Sequence, residues 1–470
     1  MSDRSAGLLA PLAAAVRERR ASAEELVRLS LDRIEAAAEL NAVVALRPDA
    51  ALADARALDR RIERGEDGGP LAGLPLLVKD IEDAAGLPTT FGSLLFRDAP
   101  PAARDGVIAS RLRGAGAILV GKTNVPEFAF EGYTANRLFG VTRNPWAPDW
   151  SPGGSSGGSA AAVVAGLAPL ATATDVGGSI RIPAAACGLV GFKPTAGLIG
   201  RDPILATLDF NNHGPLTVTV ADAHLLLEIL AGPVAGDPGA LPRRRPGPAR
   251  QPGRVLAAPR FAAGRPLPAP VAERFEAALR SVESELGLPV EPIEPAAIFP
   301  SGYEVEDWFR ILATEQAFDL GRETIERSEG LLDPTFRSYM RSALELPRDE
   351  YVGARRRRFR YTRELDLLLG DDAILLTPTL AVEGWSAEGR LPGRPEPGLP
   401  SWAFNTEIQN FTGHPAVSLP AGRHPNGVPF GLQATAPRHR DDLLLWFAER
   451  WEAARPWPLA ADGFEPFTAP

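Results

Sequence analysis

The chain has 470 residues and a formal net charge of −9, with 45% hydrophobic and 23% charged residues. A chain of this size can bury a core without a metal or disulfide staple, and its mild acidity excludes the clustered basic surface of a nucleic-acid binder. The single cysteine, Cys187, excludes an internal disulfide and fits a reducing, cytoplasmic compartment.

The apolar run at 8–16 is followed at once by Arg17-Glu18-Arg19-Arg20, which reads as a surface helix and not a leader peptide. Ser22 and Glu25 form a capping-box pattern, and Val27, Leu31, Ile34 and Ala38 then mark one helical face. A second helix is expected over 48–65. Residues 75–78 read as a short buried strand that delivers Lys79, and 117–120 as another that ends at Gly121-Lys122. Residues 158–167 read as a helix of small residues. Later strands are expected at 255–257, 373–376, 417–419 and 430–433, and the basic run Arg355 to Arg358 as the solvated face of a helix. Strands alternating with helices imply an α/β sandwich around a mixed sheet. The longest weakly polar stretch, 159–174, carries Pro169 and falls short of the ~20 residues that span a membrane.

Two glycine-serine clusters carry the chemistry: Gly153-Gly154-Ser155-Ser156-Gly157-Gly158-Ser159, and Thr174-Asp175-Val176-Gly177-Gly178-Ser179-Ile180-Arg181-Ile182-Pro183. Glycine lets backbone approach a ligand closely, and successive amides in such a turn can converge on an anion. A serine after Gly-Gly could then be a nucleophile beside its own oxyanion hole. The five histidines, at 213, 224, 414, 424 and 439, read as structural or solvated. Of 50 basic residues only three are lysines: Lys79, Lys122 and Lys193. Arginine cannot act as a base, whereas a buried lysine can lose its proton. Lys79, after a buried strand and before Asp80, is placed for that task. The other reading of a glycine-rich loop is a phosphate cradle, but Gly157-Gly158-Ser159 lacks the lysine of a P-loop and Gly121-Lys122-Thr123 ends a strand.

With the stretches at 73–80, 121–128, 140–197 and 410–433, these motifs identify the chain as resembling the amidase signature family of serine hydrolases, over about 70–230 and 370–450. The resemblance implies a single-domain α/β/α sandwich over 1–470: N-terminal helices 6–65, the signature core about 70–230, a variable substrate-pocket region about 235–370, and C-terminal core elements 371–470. It implies a Ser–cis-Ser–Lys triad of Ser179 (nucleophile), Ser155 (following a cis peptide) and Lys79 (base). The amides of Val176, Gly177, Gly178 and Ser179 would form the oxyanion hole. Asp175, Arg181 and Ser156 would support them, and Lys122 and Lys193 would bond loop carbonyls. Two positions depart from the family pattern: Ile81 where Asn is frequent after Lys-Asp, and Ala173 where Gly is frequent before Thr-Asp.

Substrate choice is expected in the variable region and loop 128–136. Aromatics there include Tyr303, Trp308, Phe309, Phe318, Phe336 and Tyr339, with Phe130, Tyr133 and Gly154 as candidate substrate contacts. Such a lining favours hydrophobic or aryl amides, and the resemblance implies that the same chemistry serves small-molecule amides, carbamates, amide oligomers and some esters. It implies no cofactor, metal, nucleic-acid or membrane partner, and association as a homodimer. The alternative within the family is the glutaminase component of a tRNA-dependent amidotransferase. Such chains tend to carry Tyr-x-x-Asp-x-Tyr-Thr where this one has Trp402-Ala403-Phe404-Asn405-Thr406-Glu407-Ile408.

Overall fold

The computed structural model describes residues 7–201, 210–243, 248–262, 266–391 and 403–469. The apolar N-terminal run forms the helix Leu9–Arg17 with Leu9, Leu12, Ala13 and Val16 buried. The helix is held at its start by Asp222, which accepts from the Leu8 and Leu9 amides. Ala23–Ala36 begins with the expected capping box: Ser22 Oγ accepts from Glu25 N at 3.1 Å, and Glu25 Oε2 accepts from Ser22 N at 2.8 Å.

Most strands divide between two larger sheets, and two short ribbons pair Ala135–Asn136 with Gly140–Val141 and Thr174–Asp175 with Asn212–His213. The smaller of the two sheets runs in the order Val43–Leu46, Ile118–Thr123, Pro75–Lys79, Leu170–Ala171. Pro75–Lys79 lies parallel between its two neighbours and is buried at every residue. A strand covered on both sides should be continuously apolar, so a lysine at its end is a chemical exception. The neighbouring strand runs to Thr123, one residue past the expected end at Gly121-Lys122, because its parallel register with Lys79 continues that far.

The larger sheet has seven strands in the order Leu216–Thr217, Val190–Lys193, Ala416–Arg423, Pro429–Thr435, Ala373–Pro378, Arg254–Ala257, Val290–Pro292. Pairing is antiparallel up to Ala373–Pro378 and parallel beyond it, which makes the sheet mixed, as expected. Helix Gly157–Val164 is buried along its whole length and touches strands of both sheets. Its Gly, Ala and Val side chains allow that approach. The short helix Arg181–Cys187 packs on Ala416–Arg423 and Pro429–Thr435. Its Gly/Pro-rich context had no helical signature, and Pro183 is tolerated only because it sits in the first turn.

In the variable region, Glu306–Leu320 packs against Pro334–Leu344 and Arg348–Leu369. Trp308 and Phe336 are buried, whereas Phe318 is 82% exposed. The basic run on Arg348–Leu369 is not a solvated face. Arg357 binds the fully buried Asp307 through Nε at 2.6 Å, Arg355 reaches Glu315 at 3.1 Å, and Arg358 donates to the Phe411 carbonyl. A buried carboxylate needs such partners, and only Arg356 of the four is exposed.

Candidate active site

Lys79 ends its strand with the backbone N–H donating to Thr172 Oγ1 at 2.9 Å. Its Nζ lies 2.8 Å from Ser155 Oγ and 2.8 Å from Thr174 Oγ1. Burial pushes the ammonium down to about 7, against the opposing pull of the Glu82 and Asp175 carboxylates. Ser155 follows a cis peptide, Gly154-Ser155. The preceding turn is fixed by Thr134 Oγ1, which donates to Gly153 O at 2.7 Å. Gly154 does not face the cleft as expected: a Cβ there would come within 2.9 Å of Glu131 O, Tyr133 N and Gly132 C. The backbone of loop 131–133 thus rests on the Gly154-Ser155 peptide, and this contact is what requires glycine.

Ser179 is partly accessible and lines the same cleft as Ser155 and Thr174. The turn that carries it is fastened from several sides. Asp175 Oδ1 accepts from Gly178 N at 2.7 Å and Oδ2 from Ile180 N at 3.3 Å. Arg181 grips the same carboxylate at two points, Nε to Oδ2 and Nη2 to Oδ1, each 2.9 Å, with both side chains fully buried. Burial opposes the Asp175 charge, yet the guanidinium holds this carboxyl below the usual range. Arg181 is saturated further by Gln409, Gln433, Asn410 and the Thr406 carbonyl. Thr406 Oγ1 donates to Gly177 O at 2.6 Å and Trp308 Nε1 to Val176 O at 3.1 Å. Asp175 and Arg181 therefore bond both to each other and to loop backbone. The Gly178 N–H is committed to Asp175, a correction to its expected place in the oxyanion hole.

Ser156 Oγ is 3.4 Å from both Thr174 O and Thr174 N, and makes no capping bond to the helix it precedes. Of the aromatic candidates, Phe130 and Trp308 line the cleft, but Tyr133 does not and instead packs against the apolar cluster that holds Leu380 and Trp385. Trp402 lies outside the described residues. Walls that sequence reasoning missed are Ile81, Phe91, Phe128, Leu312 and Phe404. Ile81 is the position noted as a departure from the family pattern. The ring stack Phe91–Phe128–Phe336, with centroids 5.9 and 5.0 Å apart, braces one wall.

Lys122 is a tether. Its Nζ meets Asp80 Oδ1 at 3.2 Å and donates to Glu82 O at 2.6 Å and Pro88 O at 3.3 Å. Lys193 donates to Pro194 O at 2.8 Å, and burial with the nearby Arg181 pushes it down to about 7. Cys187 is buried and its thiol is pushed up. His213, buried behind Lys79, stands 3.9 Å from Glu82 and is pushed down to about 3 by burial and by Lys79. Among the described residues no helix is long and apolar enough to cross a membrane.

The sequence profile of the amidase family matches residues 25–445. The chain belongs to the amidase signature family. Several relatives resemble it along nearly their whole length. It is 36% identical over 460 residues to an acylamidase of Rhodococcus erythropolis, covering 95% of each chain. It is 33% identical over 495 residues to a glutamyl-tRNA(Gln) amidotransferase chain from Ralstonia nicotianae, covering 96% of this chain and 98% of that one. The crystal structure of a bacterial aryl acylamidase of the amidase signature family superposes with a TM-score of 0.85 at 29% identity, over 96% of this chain and 97% of that one. This amidase therefore acts on C–N bonds of small-molecule amides.

Proposed function

We propose that this amidase hydrolyses hydrophobic and aryl amides through an acyl-enzyme on Ser179. The observation that carries the proposal is the 2.8 Å contact between Lys79 Nζ and Ser155 Oγ, made in a site where lysine can be neutral near pH 7. Neutral Lys79 takes the Ser155 hydroxyl proton as Ser155 takes that of Ser179. Ser179 Oγ then adds to the substrate carbonyl carbon. The amides of Val176, Gly177 and Ser179 face the developing oxyanion, and Gly178 contributes by holding the turn to Asp175. On collapse the C–N bond breaks, and the proton returns from Lys79 through Ser155 to the leaving nitrogen. Water repeats the cycle at the acyl carbon and releases the carboxylic acid and Ser179.

Apolar walls from Ile81, Phe128, Phe130, Trp308 and Leu312 favour hydrophobic and aryl groups. Aryl carbamates and activated esters present the same carbonyl to the same serine and follow as side activities. Among the described residues that line the cleft there is no arginine or lysine to take the α-carboxylate of glutamine, which disfavours a glutaminase role despite the likeness to the amidotransferase chain. A homodimer remains part of the reading, with sedimentation as its test. The deciding experiment is labelling with a fluorophosphonate followed by peptide mass spectrometry, alongside hydrolysis of anilides, aryl carbamates and glutamine. Modification at Ser179, absent in Ser179→Ala, with turnover of anilides, supports the proposal. Labelling elsewhere, or turnover of glutamine alone, overturns it.

A further inference from the structure

The cleft holds polar atoms that the acyl-transfer chemistry does not use. Glu131 lies in the loop that covers the Gly154-Ser155 peptide and lines the cleft beside Phe130. Its Oε2 is sealed from solvent and has no hydrogen-bond partner among the described residues. Gln316, facing the same cleft from helix Glu306–Leu320, is in the same state: its Oε1 is buried without a partner. The orientation of that amide is set by its other end, since Nε2 donates to Phe128 O at 3.4 Å. Gln316 Oε1 is an acceptor, and Glu131 Oε2 is one once its carboxyl has given up its proton. A buried acceptor without a donor forfeits its hydration with nothing in return, and folded proteins leave such groups only where water, an ion or a ligand completes them.

The surroundings say which donor is missing. Burial, with Asp333 nearby, holds the Glu131 carboxyl up to about 8. The charge it feels there is that of another carboxylate, not of a lysine or arginine. A positively charged donor arriving in the cleft would therefore meet a carboxyl able to give up its proton, together with a second acceptor, inside walls that favour apolar groups.

We propose that Glu131 and Gln316 form a recognition site for an ammonium group carried by the substrate away from its scissile carbonyl, so that the preferred substrates are apolar amides bearing a primary amine. The inference rests on the amidase reading of the same cleft. The mechanism involves no new bond-making step. The ammonium donates to Glu131 and Gln316, the Glu131 proton passes to solvent, and the chain between ammonium and amide lies along Phe128, Phe130 and Trp308.

Two measurements test it. The first compares kcat/KM for anilides of ω-amino acids with four to six carbons against their methyl-terminated counterparts, in the wild-type enzyme and in Glu131→Gln. Wild type should prefer an amino substrate by about tenfold or more, and Glu131→Gln should lose that preference. Equal ratios in the two proteins, or a wild-type preference for the methyl substrates, would overturn the proposal. The second needs no catalysis: calorimetric titration of Ser179→Ala with benzylammonium and with benzyl alcohol. Binding of benzylammonium that is lost on adding Glu131→Gln supports the site. Equal binding of the two probes, as expected if only ordered water satisfies these atoms, rejects it. Circular dichroism and thermal melting establish that Glu131→Gln is folded. Failure of wild type to hydrolyse any anilide, with Ser179 unlabelled by fluorophosphonate, would defeat the amidase reading itself, whereas benzylammonium binding would still report on Glu131.

Discussion

The indole of Trp308 lies against Gly177 so closely that a Cβ on Gly177 would stand 2.3 Å from Trp308 Cζ2. The contact joins a helix of the variable region to the turn that carries Ser179, and the Trp308 Nε1 bond to Val176 O fixes its geometry. Gly177→Ala must displace either the ring or the turn. Misplacement of about 1 Å near the chemistry can cost about 100-fold in rate, so kcat/KM on an anilide should fall by about that factor. The double variant Gly177→Ala with Trp308→Ala should recover part of the loss, because the ring that clashes is gone. No recovery would show that the alanine acts through something other than the indole.

Replacing Lys79 by arginine fixes a positive charge at this position and removes the ability to accept a proton. Lys79→Arg should lose at least about 100-fold in kcat, within the range that general-base catalysis contributes, and should be checked alongside a thermal melt that reports folding. Near-wild-type turnover would remove Lys79 from the mechanism.

The pH dependence has a definite sign. The active form of Lys79 is neutral, and its value is lowered from 10.5 to about 7. Activity should therefore rise with pH through about 7 and level off above it. The Glu82 carboxylate favours the ammonium form, so Glu82→Gln should move the rising limb to lower pH. A limb that stays in place, or moves upward, would separate Glu82 from the tuning of Lys79.

Asp175 and Arg181 are ion-paired with neither side chain exposed. Breaking a buried pair by removing one partner costs about 3–5 kcal/mol, because the remaining charge is left uncompensated. Asp175→Asn should show a loss of this size in urea unfolding, together with reduced labelling at Ser179, since the turn loses the carboxylate that holds Gly178 N. A stability change below about 1 kcal/mol would mean that Gln409, Gln433 and Asn410 hold Arg181 without the carboxylate.

Some of this architecture was readable before any coordinates. The capping box at Ser22 and Glu25 and the strand before Lys79 follow local rules with local causes. The placing of Lys79 against Ser155 came from motif resemblance, because no periodicity in the chain relates positions 76 residues apart. What stayed hidden depends on tertiary approach. Helix Arg181–Cys187 exists because packing against the large sheet overrides a proline and glycine context. Arg355, Arg357 and Arg358 looked solvated because the acceptors they meet, including Asp307, lie elsewhere in the chain. Tyr133 and Phe130 are three residues apart in one loop, yet only Phe130 reaches the cleft, since the loop turns over Gly154 between them and the serine. Thr174 lies within the second glycine-serine cluster, but its bond to Lys79 Nζ is a matter of tertiary geometry alone.

The three lysines have a practical consequence. All three side chains are fully buried, while the surface cations of the chain are arginines. Reagents that acylate primary amines will find no lysine on the folded enzyme, so coupling to activated supports cannot proceed through lysine. Global unfolding exposes all three, and local opening of either sheet exposes only its own. Mass-resolved acylation of Lys79, Lys122 and Lys193 thus reports opened molecules, read from the catalytic strand, its neighbour and an inner strand of the large sheet in a single digest.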